Sequence, residues 1–218
     1  MAYARGEDPP YGFPKYLTVE ESGDGPVSVA DMAVNELLIS GLKDNLIYKD
    51  WDILSEETSK GKTLQQTNYE KDWCWILDPL DGTKDFLQGS ENYAVHIALT
   101  YKQKPKIGLV LIPEKNELWF GVVGSGAWCE NRYGYEKHIS FSERLDISDL
   151  VLVSSKNHQQ SKLQNLLSTL CFAETKKIGS VGCKVASILR GDADVYISLS
   201  GKTCPKDWDM AAPDALIQ

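Results

Sequence analysis

A chain of 218 residues, 42% hydrophobic and 25% charged, is long enough to bury a proper core as one large domain or two small ones. Its formal net charge of −8 excludes a general affinity for nucleic acid or anionic membrane, so an anionic substrate must be attracted locally, by metal or by a few lysines. No apolar run approaches a membrane span and residues 1–7 carry no signal-peptide core, which makes the cytoplasm the expected location.

Residues 1–27 are rich in Pro, Gly and charge and read as a loop with one strand over 16–19. Ser28-Val29-Ala30-Asp31 then has the spacing of a capping box, and Ala33, Val34, Leu37, Leu38 and Leu42 follow at helical intervals, which predicts a helix over 29–43. Capping alone accounts for Asp31. Residues 51–58 read as a short apolar strand ending in Glu56 and Glu57. Adjacent strand residues face opposite ways, so only one of these acids can serve a given site. Residues 59–72 are polar and read as a loop able to cover a site.

The next stretch organises the chain. Trp73-Cys74-Trp75-Ile76-Leu77 is strand-like, Asp78-Pro79-Leu80-Asp81-Gly82-Thr83 reads as a sharp turn, and Lys84-Asp85-Phe86-Leu87 suits a first helical turn. Pro79 presets the turn, Gly82 lets backbone approach a ligand, and the Gly82 and Thr83 N–H groups open a helix where an anion is favoured. Asp78 and Asp81 offer hard oxygen ligands of the kind Mg²⁺ takes. In isolation the same residues are explained as a turn and a helix cap.

Four apolar segments follow, over 93–101, 106–112, 117–122 and 127–130, joined by short polar loops, and predict an antiparallel meander. Beyond residue 140 the pattern alternates: a strand over 151–153, a helix marked by Leu163, Leu166, Leu167 and Leu170, a strand over 175–178, a helix capped by Ser180, and a strand over 193–199. This predicts a smaller α/β unit with a partly parallel sheet. The expected division is an α+β domain over 1–139, carrying the antiparallel sheet and the acidic motif, and an α/β domain over 140–218. Lys206 to Asp214 leads into a last apolar helix that must dock on something. Five cysteines without a C-x-x-C pair read as reduced thiols, with Cys204 in a polar loop. Among His96, His138 and His158, His96 lies in an apolar strand and reads as a core histidine.

Taken in order, Ser55-Glu56-Glu57, Asp78-Pro79-Leu80-Asp81-Gly82-Thr83 and Trp208-Asp209-Met210-Ala211-Ala212 resemble the Mg²⁺-dependent, Li⁺-sensitive phosphatases of the inositol monophosphatase superfamily. The resemblance runs over about residues 27–218 and includes Pro26-Val27-Ser28-Val29-Ala30-Asp31. It implies a layered αβαβα sandwich of the sugar-phosphatase type, which would here be truncated at both ends. Thr83-Lys84-Asp85-Phe86 and the polar insert over 200–206 are more similar to 3′(2′),5′-bisphosphate nucleotidases than to inositol monophosphatases. The family pattern makes Glu56, Asp78, Asp81 and Asp209 metal ligands with the Leu80 carbonyl. Asp31, Thr83 and Glu56 form the catalytic set, the first two orienting and deprotonating water. Two or three Mg²⁺ per site would relieve the repulsion of four clustered carboxylates. Gly82 and Thr83 would hold phosphate, with Lys184 and either Lys206 or Lys202 as candidates for a second phosphate; each lysine is equally well read as a solvated surface residue. The implied activity is phosphomonoester hydrolysis of 3′-phosphoadenosine 5′-phosphate. Inositol monophosphate or fructose 1,6-bisphosphate are the alternatives, and so is a truncated, non-catalytic metal- or phosphate-binding form. The partners implied are a small phosphorylated substrate and a second copy in a homodimer.

Overall fold

The computed structural model describes residues 19–22, 25–45, 51–59, 70–137, 139–156, 161–198 and 205–218. The predicted covering loop falls almost wholly outside these residues, as do His138, His158, Lys202 and Cys204. Of the strand expected over 16–19 only Val19 lies among the described residues, and where a loop was expected from there to the first helix, β1 (Val19–Ser22) and β2 (Gly25–Ser28) pair as an antiparallel hairpin. It leads directly into α1 (Val29–Asn45).

The main sheet contains β3 (Asp52–Ser55), β4 (Trp73–Asp81), β5 (Ala94–Tyr101), β6 (Lys104–Ile112), β7 (Glu117–Val122), β8 (Gly126–Glu130) and β9 (Glu136–Lys137), in that spatial order. From β4 onward the pairs are antiparallel, the predicted meander, whereas β3 joins β4 in parallel. β4 is in contact with α1 and with the last helix, α6 (Asp207–Ile217), which is why its sequence is a continuous apolar run rather than an alternating one.

The second sheet is smaller and wholly parallel, ordered β11 (Glu174–Ile178), β10 (Val151–Ser155), β12 (Val195–Tyr196). The strand predicted over 193–199 contracts to the two residues of β12. α4 (Ser161–Ser168) and α5 (Val181–Leu189) complete this half, and α5 touches both sheets as well as α6. Helices and sheets are thus layered, and the main buried cluster runs from Cys74, Ile76, Val110, Ile112 and Trp119 through α5 to Ala211, Ala212 and Leu216, beside smaller clusters around Phe86 and around Val153. Among the described residues no helix is long and apolar enough to cross a membrane.

α6 explains its own composition. Its small residues let its backbone lie against β6, where a Cβ on Gly108 would overlap Ala212 O and come within 2.8 Å of Ala215 Cβ. Gly121 on β7 is likewise close, with a Cβ there 3.1 Å from Leu216 Cδ2. Small residues on both sides permit this approach, and the approach fixes the first turn of α6, which carries Asp209.

Candidate active site

Asp78 and Asp81 are three residues apart on one strand, a spacing that would put them on opposite faces of a regular strand. The register shows how they come together. Asp78 stands opposite His96 and Asp81 opposite Ala94, so three steps on β4 match two on β5. The extra residue is a bulge, and it turns Asp81 back to the side of Asp78. The sharp turn expected at Pro79 is therefore a bulged strand end. The turn itself is confined to Gly82, at φ 96° and ψ 36°, immediately before α3 (Thr83–Leu87). A side chain on Gly82 would be strained there and would meet Asn92 O at 2.9 Å.

Glu56 arrives by a different route from the one predicted. β3 stops at Ser55 and the chain enters a single helical turn, α2 (Glu56–Ser59), so the alternation of strand faces does not apply to Glu56 and Glu57. Glu56 nonetheless reaches the motif, where it shares a hydrogen bond with Asp78. Ser55, at the junction, is buried and donates to Asn35 Oδ1 at 2.6 Å, tying β3 to α1.

Asp78, Asp81 and Asp209 bring carboxylate oxygens within 4.8 Å of one another. Burial holds the Asp78 carboxyl well above the usual carboxylate range, with Glu56, Asp81 and Asp209 adding to the effect. Asp209 is pushed up to about 6, by burial first and then by Asp81. Asp81 behaves differently. Burial opposes its ionisation, but the His96 ring, the Ser180 hydroxyl and Lys184 outweigh burial and hold it below the usual range. Its Oδ2 accepts from Ser180 Oγ (2.6 Å) and Gly182 N (3.0 Å). His96 Nε2 lies 3.2 Å from the same oxygen, close but off the line of a hydrogen bond, and His96 Nδ1 is 3.4 Å from Trp208 O.

Asp31 is fully buried and its two oxygens have separate uses. Oδ2 accepts from Ser28 N (2.7 Å) and Ser28 Oγ (2.5 Å), the cap that the sequence predicted. Oδ1 accepts from Thr83 Oγ1 at 3.0 Å, and the same hydroxyl also lies 3.1 Å from Leu80 O. On α1 the buried positions are Asp31 and Asn35, one turn apart, while Leu37 is 69% exposed. The apolar periodicity of this helix therefore did not mark its innermost face, because that face is polar where it meets the site.

The two lysines part company. Lys184 is not a surface residue: it is buried on α5, donates to Gly179 O at 2.9 Å and lies 5.0 Å from the centroid of the Tyr196 ring. Burial lowers its pKa, while Asp81, Cys183, Asp209 and Asp85 counter that effect. Lys206 is exposed at the head of α6, where its backbone N–H donates to Asp209 Oδ2 at 2.7 Å. Sequence reasoning did not assign His96 or Ser180 to the site. A polar residue in an apolar strand was the signal for the first. The Ser180 cap is real, since its Oγ accepts from Cys183 N at 3.1 Å, but the same hydroxyl also serves Asp81. The buried thiols of Cys74 and Cys183 are pushed up to about 12 by burial and take no part.

The donor set fits a hard divalent cation. It consists of carboxylate oxygens, and two of the carboxyls, Asp78 and Asp209, resist ionisation beside each other without positive charge nearby.

The fold and this carboxylate set define a layered α/β protein with a candidate divalent-cation site. More closely, residues 11–218 match the model of the inositol monophosphatase family, and the chain belongs to that family. It is 31% identical over 198 residues to a 3′(2′),5′-bisphosphate nucleotidase CysQ of Escherichia coli, covering 91% of this chain and 75% of the relative. It is 28% identical over 210 residues to the Nus factor SuhB of Pasteurella multocida, covering 92% and 72%. Among solved structures, the extragenic suppressor protein SuhB of Bartonella henselae superposes with a TM-score of 0.73 at 25% identity, over 92% of this chain and 74% of the other. An IMPase of Thermotoga maritima gives 0.75 at 22% identity, over 92% and 72%, and speaks to the fold alone.

Proposed function

We propose that this chain is a Mg²⁺-dependent 3′(2′),5′-bisphosphate nucleotidase that removes a phosphate from 3′-phosphoadenosine 5′-phosphate. The observation that carries the phosphatase chemistry is the Thr83–Asp31 hydrogen bond beside the cluster of Asp78, Asp81 and Asp209. The choice of nucleotide is supported by the relatives that bear that name at 31% identity and by Thr83-Lys84-Asp85-Phe86 in the motif.

Glu56, Asp78, Asp81, Asp209 and the Leu80 carbonyl are the residues that would hold Mg²⁺. When bound, two or three such ions neutralise phosphoryl charge, acidify water and stabilise a leaving alkoxide. The protein groups do the rest. Thr83 Oγ1, by donating to Asp31 Oδ1, turns its lone pairs toward an incoming water. As that water attacks phosphorus in line, the bond from phosphorus to the ester oxygen breaks; the proton of the water passes to the hydroxyl and the hydroxyl proton to Asp31, while the departing alkoxide takes a proton from solvent. Asp31 can take the proton on Oδ1 without losing its hold on α1, because Ser28 occupies Oδ2. The N–H groups of Gly82 and Thr83 hold the phosphate oxygens. Lys184 stays inside as a counter-charge to Asp81, and Lys206, exposed at the rim, meets the second phosphate.

The test is kcat/KM for 3′-phosphoadenosine 5′-phosphate, inositol 1-phosphate and fructose 1,6-bisphosphate, with Mg²⁺ and with or without Li⁺. The proposal expects the nucleotide to be preferred and its hydrolysis to be Li⁺-sensitive. Preference for either sugar phosphate would reassign the substrate, and tight Mg²⁺ binding without turnover of any of the three would mark a non-catalytic form.

A further inference from the structure

Asp85, four residues beyond Asp81, is a fully buried carboxylate on α3 whose ion-pair partner is Lys156, the residue that follows β10 of the other sheet. Its Oδ1 accepts from Lys156 Nζ at 2.9 Å, and the same ammonium donates to Gln88 Oε1 at 3.1 Å. Its Oδ2 lies against Gly179, so closely that a Cβ at that position would overlap it. Lys156 holds the same place by its backbone, whose N–H donates to Ile178 O at 3.1 Å. The Ile178–Gly179 segment is thus gripped from two sides. The next residue is Ser180, whose hydroxyl, with Gly182 N, fixes Asp81 Oδ2.

We propose that Asp85 and Lys156 are positioning residues, a latch between the two sheets that sets the Gly179–Ser180 segment and through it the orientation of Asp81. The inference rests on the reading of Asp81 as a cation ligand. A buried carboxylate is retained only where it is paired, and this one is paired across the seam of the two sheets rather than within its own helix. Gly179 is the residue that allows the close approach, and any side chain there would separate Asp85 from the segment it holds.

The test replaces Lys156, whose side chain is 37% exposed and lies outside the apolar core, so that Lys156→Met removes the ion-pair partner of Asp85 without opening a cavity, at some cost in stability that Lys156→Arg restores. Two readouts are taken on the whole chain, wild type against Lys156→Met and Lys156→Arg: steady-state kinetics with Mg²⁺ titration, and amide hydrogen exchange. Lys156→Met is expected to lower kcat roughly tenfold, since small misplacements of a reacting group are costly, with KM for the nucleotide near that of the wild type. The Mg²⁺ needed for half-maximal rate should rise several-fold, exchange should quicken over 176–186 while α1 and β5–β6 keep their protection, and Lys156→Arg should restore all of these. Unchanged exchange over 176–186, or a loss of protection spread evenly over the chain, would overturn the latch. If the wild type itself shows no turnover, the functional reading fails, and the exchange pattern still decides whether the latch exists.

Discussion

Thr83 Oγ1 donates to Asp31 Oδ1 at 3.0 Å across 52 residues of sequence, joining the N-terminus of α1 to the turn that ends β4. Asp31→Asn keeps an oxygen to accept from Ser28 but cannot take a proton at neutral pH. It should lower kcat by roughly 10²- to 10⁴-fold, the usual worth of a general base, with little change in melting temperature. Thr83→Ala should do the same to a lesser degree. The check is kcat alongside thermal unfolding. A large fall in stability with catalysis otherwise intact would make Asp31 only a cap.

The acidic cluster predicts an unusual pH dependence for the metal-free protein. Asp209 in the fold titrates at about 6, and Asp78 is also raised, whereas an unfolded Asp titrates near 4. Between those values the native state binds more protons than the unfolded state, so stability is greatest below about pH 4 as far as these groups are concerned and falls as pH rises through about 6. For Asp209 alone the loss is on the order of 3 kcal/mol. Melting curves from pH 4 to 8 in chelator should show this decline, and Mg²⁺ should flatten it. A metal-free protein whose stability rose over that window would contradict the assigned electrostatics.

Much of this arrangement was legible in the sequence. The helix over 29–43, the meander and the Ser180 cap follow from local pattern, the three acidic stretches were marked by their resemblance to the family, and the structure has them all. The bulge between Asp78 and Asp81 was not legible, because it is a property of how β4 registers with β5 and not of either strand alone. Glu56 was misplaced onto a strand because a four-residue helical turn is too short to show a period. Lys184 carries no local sign that it is buried, since its environment is made by α5 lying between two sheets. The polar inner face of α1 misled for the opposite reason: hydrophobic periodicity finds core faces, and this face belongs to the site.

Gly108 provides a test of how α6 is held. Gly108→Ala would force a Cβ into Ala212 O and Ala215 Cβ, so α6 must lift. The expected cost is roughly 1–3 kcal/mol in urea unfolding, with a fall in kcat because Asp209 rides on the same helix. Wild-type stability and rate together would show that the approach is looser than described.

Arg190 and Glu117 separate stability from catalysis. Arg190 Nη1 lies 2.6 Å from Glu117 Oε2, both side chains are largely buried, and Trp119 Nε1 donates to the same carboxylate oxygen at 3.1 Å. Arg190→Ala removes the ion-pair partner of a buried carboxylate and should cost about 3–5 kcal/mol, while the fraction that remains folded keeps its kcat. A loss of less than about 1 kcal/mol would mean the pair behaves as a surface salt bridge.

The most direct measurement is Mg²⁺-dependent phosphate release from 3′-phosphoadenosine 5′-phosphate by the purified chain and by Asp81→Asn. The wild type should release phosphate only with Mg²⁺. The variant should remain folded, bind Mg²⁺ more weakly and lose nearly all activity. Full Mg²⁺-dependent activity in Asp81→Asn would contradict the assignment of the carboxylate cluster as the catalytic centre.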